Sequence, residues 1–258
     1  MVLAFALGTL LTGCQPPGSK TEKPLVVGMD LSYPPFETIS TDGQPVGVSV
    51  DLANALAEYL DRPLRIENVP FVGLIPSLNS GRIDCVISSM TRTDERDQSI
   101  DFSDSYLRTG LALLVGKRSP IQSQSDLDQP GRTIVVRQGT TGEVWARSNL
   151  KSASILAVEK ENAAVLEVIQ GKADAFIYDQ MSVWTNGRQN PETTRILLDP
   201  LQIEEWAIGI REGNTELREQ INAFLEEFKK SGGFDRLAEK YLHEQKKDFE
   251  KQGVDFVF

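Results

Sequence analysis

Two short polar turns stand where buried apolar runs end. Ser88-Ser89-Met90-Thr91 follows Ile83-Asp84-Cys85-Val86-Ile87, and Tyr178-Asp179 follows Ala173-Asp174-Ala175-Phe176-Ile177. In open α/β sheets ligands lie beyond the carboxyl ends of strands, so both turns are candidate ligand walls. The chain is poor in groups that make and break bonds. Its single histidine, His243, sits at the end of a predicted C-terminal helix, where an exposed side chain is expected rather than the base of a Ser-His-Asp or Cys-His enzyme. Cys14 and Cys85 with that one histidine cannot supply a zinc site from those ligand types and do not form a disulfide framework, so neither metal nor cofactor is expected. Lys and Arg total 27 against 37 Asp and Glu, a formal net charge of -10, which is the wrong sign for a phosphate backbone and excludes nucleic acid as a partner.

The elements that must position these turns follow from patterning. The chain of 258 residues is 40% apolar, enough for one large or two modest α/β lobes with real cores. Leu25-Val26-Val27-Gly28-Met29 reads as a buried strand. A helix is predicted over 49–60, with Val50, Ala53, Ala57 and Leu60 on one face, Ser49 as its N-cap and Asp51 in its first turn. Further strands are expected over 64–68, 83–88, 111–116, 133–136, 155–158 and 173–178, and their alternation with helices indicates mainly parallel sheets. Two segments ninety residues apart echo each other: Gly81-Arg82-Ile83-Asp84-Cys85 and Gly171-Lys172-Ala173-Asp174-Ala175 each read as a helix stopped by Gly and followed by a buried strand. They suggest two lobes of similar construction. At the carboxyl end Asn214 caps a helix with Leu217, Ile221, Phe224, Leu225 and Phe228 on one face. Gly232-Gly233 breaks it, and Phe234, Leu237, Ala238 and Tyr241 form a second apolar stripe, both stripes being core. The tail 243–258 is charged and then apolar, a pattern that assigns it no role.

The amino terminus reads as an address. Met1 to Leu11 is almost wholly apolar but too short to span a bilayer, as in the h-region of a signal peptide. Leu11-Thr12-Gly13-Cys14 resembles the bacterial lipobox, whose cysteine receives diacylglycerol and becomes the new amino terminus. This gives residues 1–13 as a lipoprotein signal peptide, Cys14 as the lipidation site and 14–23 as a tether opened by Gln15-Pro16-Pro17-Gly18-Ser19. No Lys or Arg precedes the apolar run.

Six motifs in order resemble the family 3 extracellular solute-binding proteins of polar-amino-acid ABC transporters, over about residues 24–242. They are Asp30-Leu31-Ser32-Tyr33-Pro34-Pro35-Phe36-Glu37, Gly47-Val48-Ser49-Val50-Asp51-Leu52, and Phe71-Val72-Gly73-Leu74-Ile75-Pro76-Ser77-Leu78. With them come Thr91-Arg92-Thr93-Asp94-Glu95-Arg96 followed by Ile100-Asp101-Phe102-Ser103, then Gln138-Gly139-Thr140-Thr141, and Gly232-Gly233-Phe234. Val48-Ser49 replaces the family's usual aromatic-acidic pair, which bears on a helix start more than on a ligand. The resemblance implies a two-lobed periplasmic-binding-protein-like type II α/β fold. Each lobe has a mainly parallel sheet flanked by helices, and two strands cross between lobes near 110–114 and 206–210. Lobe 1 is then 24–109 with 208–242, and lobe 2 is 110–207.

The resemblance also implies roles. A free amino acid is a zwitterion, and both charges can leave water only if each meets an opposite charge and hydrogen bonds. Arg96 is expected to fork the α-carboxylate, Asp179 to receive the α-ammonium, and Ser89 and Thr91 to assist at the head group. Tyr33 and Phe71 sandwich the side chain, and Ser88, Thr140 and Thr141 complete the contacts. Asp30 and Arg137 offer an acceptor and a cationic donor to the far end of the ligand. A carboxamide satisfies both, which ranks glutamine first, with arginine or glutamate next. The alternative is that Asp30 and Arg137 pair across the cleft, leaving specificity to shape. The expected partners are a free L-amino acid, an ABC permease and the membrane through the lipid, with the protein a monomer that catalyses nothing. Two other readings stay open. Cyclohexadienyl dehydratases share the fold, but as a class they lack the amine-binding aspartate that Asp179 supplies. A sensor domain would need a separate membrane partner.

Overall fold

The computed structural model describes residues 23–254 and 258; the signal peptide, Cys14 and all but the last residue of the tether lie outside them. The first lobe opens with β1 (Leu25–Met29), a three-stranded antiparallel meander of β2 (Ser32–Tyr33), β3 (Glu37–Ile39) and β4 (Pro45–Val46), and helix α1 (Val48–Tyr59). It continues through β5 (Leu64–Asn68), α2 (Leu74–Asn79), β6 (Cys85–Val86) and the short α3 (Asp94–Asp97). The long β7 (Asp101–Gly116) leads to β8 (Thr133–Arg137), α4 (Thr141–Asn149), β9 (Ser154–Val158), α5 (Glu161–Ile169), β10 (Ala175–Asp179) and α6 (Gln180–Gln189). The equally long β11 (Thr194–Ile210) returns to α7 (Thr215–Lys230), α8 (Gly233–Tyr241) and α9 (His243–Gln252).

The main sheet has the order β5-β1-β6-β11-β7-β10-β8-β9. β5, β1 and β6 are parallel at one end, β10, β8 and β9 at the other, and the antiparallel pair β7 and β11 joins them. Asp101 and Phe102 pair with Ile210 and Gly209, which in turn pair with β6, whereas Leu111 to Val115 pair with β10. Between these two regions Thr109 and Gly110 lie opposite Glu204 and Ile203. Strands read as unbroken apolar runs because both faces are covered: every residue of β1 and β10 is buried. One face of the sheet carries a continuous core from Leu25 and Leu52 through Trp206 to Phe176 and Trp184. The other is split into a cluster around Leu74, Ile83 and Phe102 and a second around Leu111, Ile134 and Trp145.

The echo between these two segments is a structural repeat. Gly81 and Gly171 take left-handed φ angles of 75 and 71°, closing α2 and α5, which glycine does without a Cβ penalty. Asp84 then places Oδ2 3.0 Å from the Val26 N–H and donates its own N–H to Val26 O at 2.7 Å. Asp174 does the same to Thr133, at 2.9 and 2.7 Å. In each lobe one aspartate thus pins the start of the neighbouring parallel strand.

Three local expectations change. Ser49 is not the N-cap of α1; Gly47 holds that position, and the buried Ser49 hydroxyl instead donates to Glu37 Oε2 at 2.7 Å. The strand expected over 83–88 pairs only at Cys85–Val86, because Ser88 and Ser89 turn their hydroxyls to Glu37. His243 is exposed, as expected, but starts a helix rather than ending one, 3.1 Å from Glu239. That helix, α9, lays Phe249 edge-on against Trp184 of α6 with ring centroids 6.5 Å apart, and Asp248 stands 3.5 Å from Arg188. Asn214 does cap α7, and Gly232, with φ 72°, separates it from α8.

Gly47 couples the meander to α1. Its φ is 129°, and a Cβ there would stand 2.2 Å from Phe36 O and 2.6 Å from Pro35 O. Gly47→Ala is therefore expected to destabilise the fold by about 2 kcal/mol or more, since both strain and a backbone clash oppose it. Denaturant unfolding checks this, and an unchanged midpoint would contradict it.

Candidate functional site

The eleven side chains named from sequence as ligand contacts all line one cavity between the lobes, with about 30 Å³ of free volume: Asp30, Tyr33, Phe71, Ser88, Ser89, Thr91, Arg96, Arg137, Thr140, Thr141 and Asp179. Local structure sets each. Thr93 caps α3 by accepting from the Arg96 N–H at 3.2 Å, so Arg96 leaves the helix toward the cavity. Its Nη1 donates to Thr91 O at 2.6 Å and its Nη2 to Gly139 O at 2.9 Å, joining the turn after β6 to the loop before α4. Asp179 ends β10 and caps α6: Oδ1 accepts the N–H groups of Met181 and Ser182, each at 3.0 Å. The same oxygen accepts the Tyr33 hydroxyl at 2.6 Å across the cleft. Burial raises the Asp179 pKa against the opposing pull of these donors. Ser89 holds a left-handed φ of 49°, a conformation costly for a non-glycine residue and concentrated at functional sites.

Asp30 and Arg137 take the arrangement that pairs them across the cleft. Arg137 Nη2 donates to Asp30 Oδ2, Nη1 donates to the Tyr178 hydroxyl at 3.1 Å and Nε to Glu159 O at 3.2 Å. Burial works against the Arg137 charge, but Tyr178 and Asp30 outweigh it and hold its pKa above the ordinary value. Asp30 is further fixed by the Phe71 N–H at 2.9 Å and the Ser32 hydroxyl at 2.6 Å. Tyr33 stacks on Phe36 with centroids 5.3 Å apart, so one face of that ring is already covered. Phe71 lies under the guanidiniums of both Arg96 and Arg137, at 5.4 and 5.7 Å.

Besides Tyr178 of the expected ligand wall, the cavity holds residues to which the sequence assigns no part in a site: Glu37, Leu111, Glu204 and Trp206. Glu37 lies at the end of the first motif. Burial pushes its pKa up to about 8 although the hydroxyls of Ser49, Ser88 and Ser89 favour its charged form. Glu204 and Trp206 alternate with the outward Glu205 on β11, a period-two signal that a strand assignment over 202–206 would have exposed. Cys85 is buried, which pushes its thiol up to about 12, so it is no nucleophile.

A cavity between two α/β lobes, lined by a guanidinium and a carboxylate, suits a small solute that carries both charges. This chain belongs to the bacterial extracellular solute-binding proteins, family 3, whose family model matches residues 25–244. It is 29% identical over 220 residues to the L-cystine-binding protein TcyJ of Escherichia coli, covering 84% of this chain and 82% of that one. It is 30% identical over 235 residues to the L-arginine-binding protein of Pseudomonas aeruginosa, covering 88 and 90%. Among solved structures it is similar to an ancestral arginine-binding protein bound to glutamine, with TM-score 0.79, 35% identity and coverage of 85 and 97%. Members of this family work outside the cytoplasm in ABC transport, and among the described residues no helix is long and apolar enough to cross a membrane.

Proposed function

We propose that this protein captures a free polar L-amino acid between its lobes and delivers it unaltered, as a monomer, to an ABC permease. The observation that carries this reading is the convergence of Arg96, from the first lobe, and Asp179, from the second, on one cavity. Residues 24–109 and 208–242 form lobe 1, and 110–207 form lobe 2. The α-carboxylate meets Arg96 with Thr91, Thr140 and Thr141, the α-ammonium meets Asp179 with Ser89, and Tyr33, Phe71 and Ser88 enclose the rest.

The Asp30–Arg137 pair alters the ranking of ligands. Each partner is already answered by the other, so a carboxamide loses part of its advantage, and arginine rises beside glutamine. Glutamate falls behind, because the cavity carries Asp30, Glu37, Asp179 and Glu204 against only Arg96 and Arg137. The solved relative named for arginine and bound to glutamine supports keeping these two together. Calorimetric titration with the twenty amino acids tests the reading, and tight binding of aliphatic ones alone would refute a polar pocket. Incubation with prephenate is expected to yield no phenylpyruvate; its appearance would make the protein a dehydratase.

The mature protein begins at Cys14 with lipid attached, anchored by two or three acyl chains, where one would hold only marginally. Cys14→Ser is expected to release a soluble form. Mass spectrometry showing an unmodified Cys14 in the native host would contradict the anchor.

A further inference from the structure

Two buried carboxylates of the cavity have no task when the head group pairs with Arg96 and Asp179; Glu37 is answered by the hydroxyls of Ser49, Ser88 and Ser89, and Glu204 is not so answered. It stands on the crossing strand β11, 3% exposed, opposite Thr109 of β7. Its Oε2 accepts the Thr91 hydroxyl at 3.2 Å, and its Oε1 is buried with no hydrogen-bond partner among the described residues. Burial pushes its pKa up to about 7. The hydroxyls of Thr141 and Thr91 and the Arg96 guanidinium favour its charge, while the nearby Asp179 opposes it. Arg96 directs its hydrogen bonds to the carbonyls of Thr91 and Gly139 rather than to Glu204. A carboxylate so placed is costly until a cation reaches it.

The ligand carries such a cation. An ammonium has three N–H donors. Asp179 leaves only its Oδ2 for them, two lone pairs at most, because its Oδ1 already accepts the Tyr33 hydroxyl and two backbone N–H groups. We propose that Glu204 is the second carboxylate of the amine subsite, its Oε1 accepting from the ligand's α-ammonium beside Asp179, so that the site demands a free amine. This rests on the amino-acid-binding reading. It gives the ammonium one carboxylate from the second lobe and one from the strand that links the lobes, so the amine is held in the hinge itself.

The test is calorimetry on the intact protein with L-arginine, or with L-glutamine if the twenty-amino-acid panel ranks it first, each against its des-amino counterpart. Glu204→Gln keeps the shape and removes the charge. It is expected to weaken binding of the amino acid about 10- to 150-fold, because a neutral amide oxygen replaces the charge that answers the ammonium. Binding of the des-amino counterpart should stay within about threefold of wild type, because the partner of Glu204 is missing there already. Glu204→Leu, similar in volume, should show the same amine-dependent loss if the glutamine variant does not melt cooperatively. Equal losses for both compounds, or binding of the amino acid within threefold of wild type, would overturn the role of Glu204 and leave the binding protein itself standing. If the wild type bound none of the twenty amino acids, the reading beneath it would fall as well.

Discussion

Arg96→Ala and Asp179→Ala are each expected to abolish practical binding of the amino acid while the protein still melts cooperatively. The two side chains reach the cavity from different lobes, so neither lobe alone neutralises both ends of a zwitterion. The closed state then gains contacts that the open state lacks, and that differential affinity is what shifts the population. Removing one member leaves a ligand charge desolvated without its partner, which costs about 2 to 5 kcal/mol, or roughly 30- to 5000-fold in affinity. Arg96 also holds Gly139 O of the opposite lobe, so its loss weakens closure twice. Ligand analogues reach the same point from the other side. An amide-capped carboxylate should lose what Arg96→Ala loses, and the des-amino acid at least what Asp179→Ala loses. If both variants bound within about threefold of wild type, roughly 0.7 kcal/mol, the clamp would be wrong.

Asp30→Ala is the second large effect. It leaves the Arg137 guanidinium, 3% exposed, with only neutral partners in the closed protein, the Tyr178 and Ser32 hydroxyls and Glu159 O. Removing one member of a buried pair costs about 3 to 5 kcal/mol. The two residues sit on different lobes, so opening returns Arg137 to water and the penalty falls on closure rather than on folding. The expected result is a loss of at least about 100-fold in affinity with little change in melting temperature. Replacing Arg137 as well, by Met, removes the stranded charge and should recover most of the loss, which calorimetry on the single and double variants would show. A fall in melting temperature without loss of affinity would place the pair in the folding core instead.

Much of the site was legible because its motifs lie at the ends of strands that their own apolar runs define. Ser88 to Thr91 follow β6, Asp179 ends β10, and the paired Gly81 and Gly171 mark the same turn in both lobes. What escaped was set by contacts distant in sequence. The Ser49 hydroxyl is drawn from capping to Glu37, twelve residues away, and that partner is invisible to a local pattern. Asp30 and Arg137 stand 107 residues apart, so whether they face the ligand or each other depends on how the lobes meet. Glu204 carries no motif of its own, and only the course of β11 buries it in the cavity. The tail was unreadable because α9 has a single apolar residue, Phe249, which packs on a helix of the other lobe rather than continuing the stripe of α8.

Whether this protein closes its lobes on the head group of a free amino acid can be read from a crystal structure of the protein grown with L-arginine or L-glutamine. The α-carboxylate is expected on the Arg96 guanidinium and the α-ammonium on Asp179, in the cavity between the lobes. Density for the amino acid elsewhere, or in that cavity with its head group turned away from both residues, would contradict it.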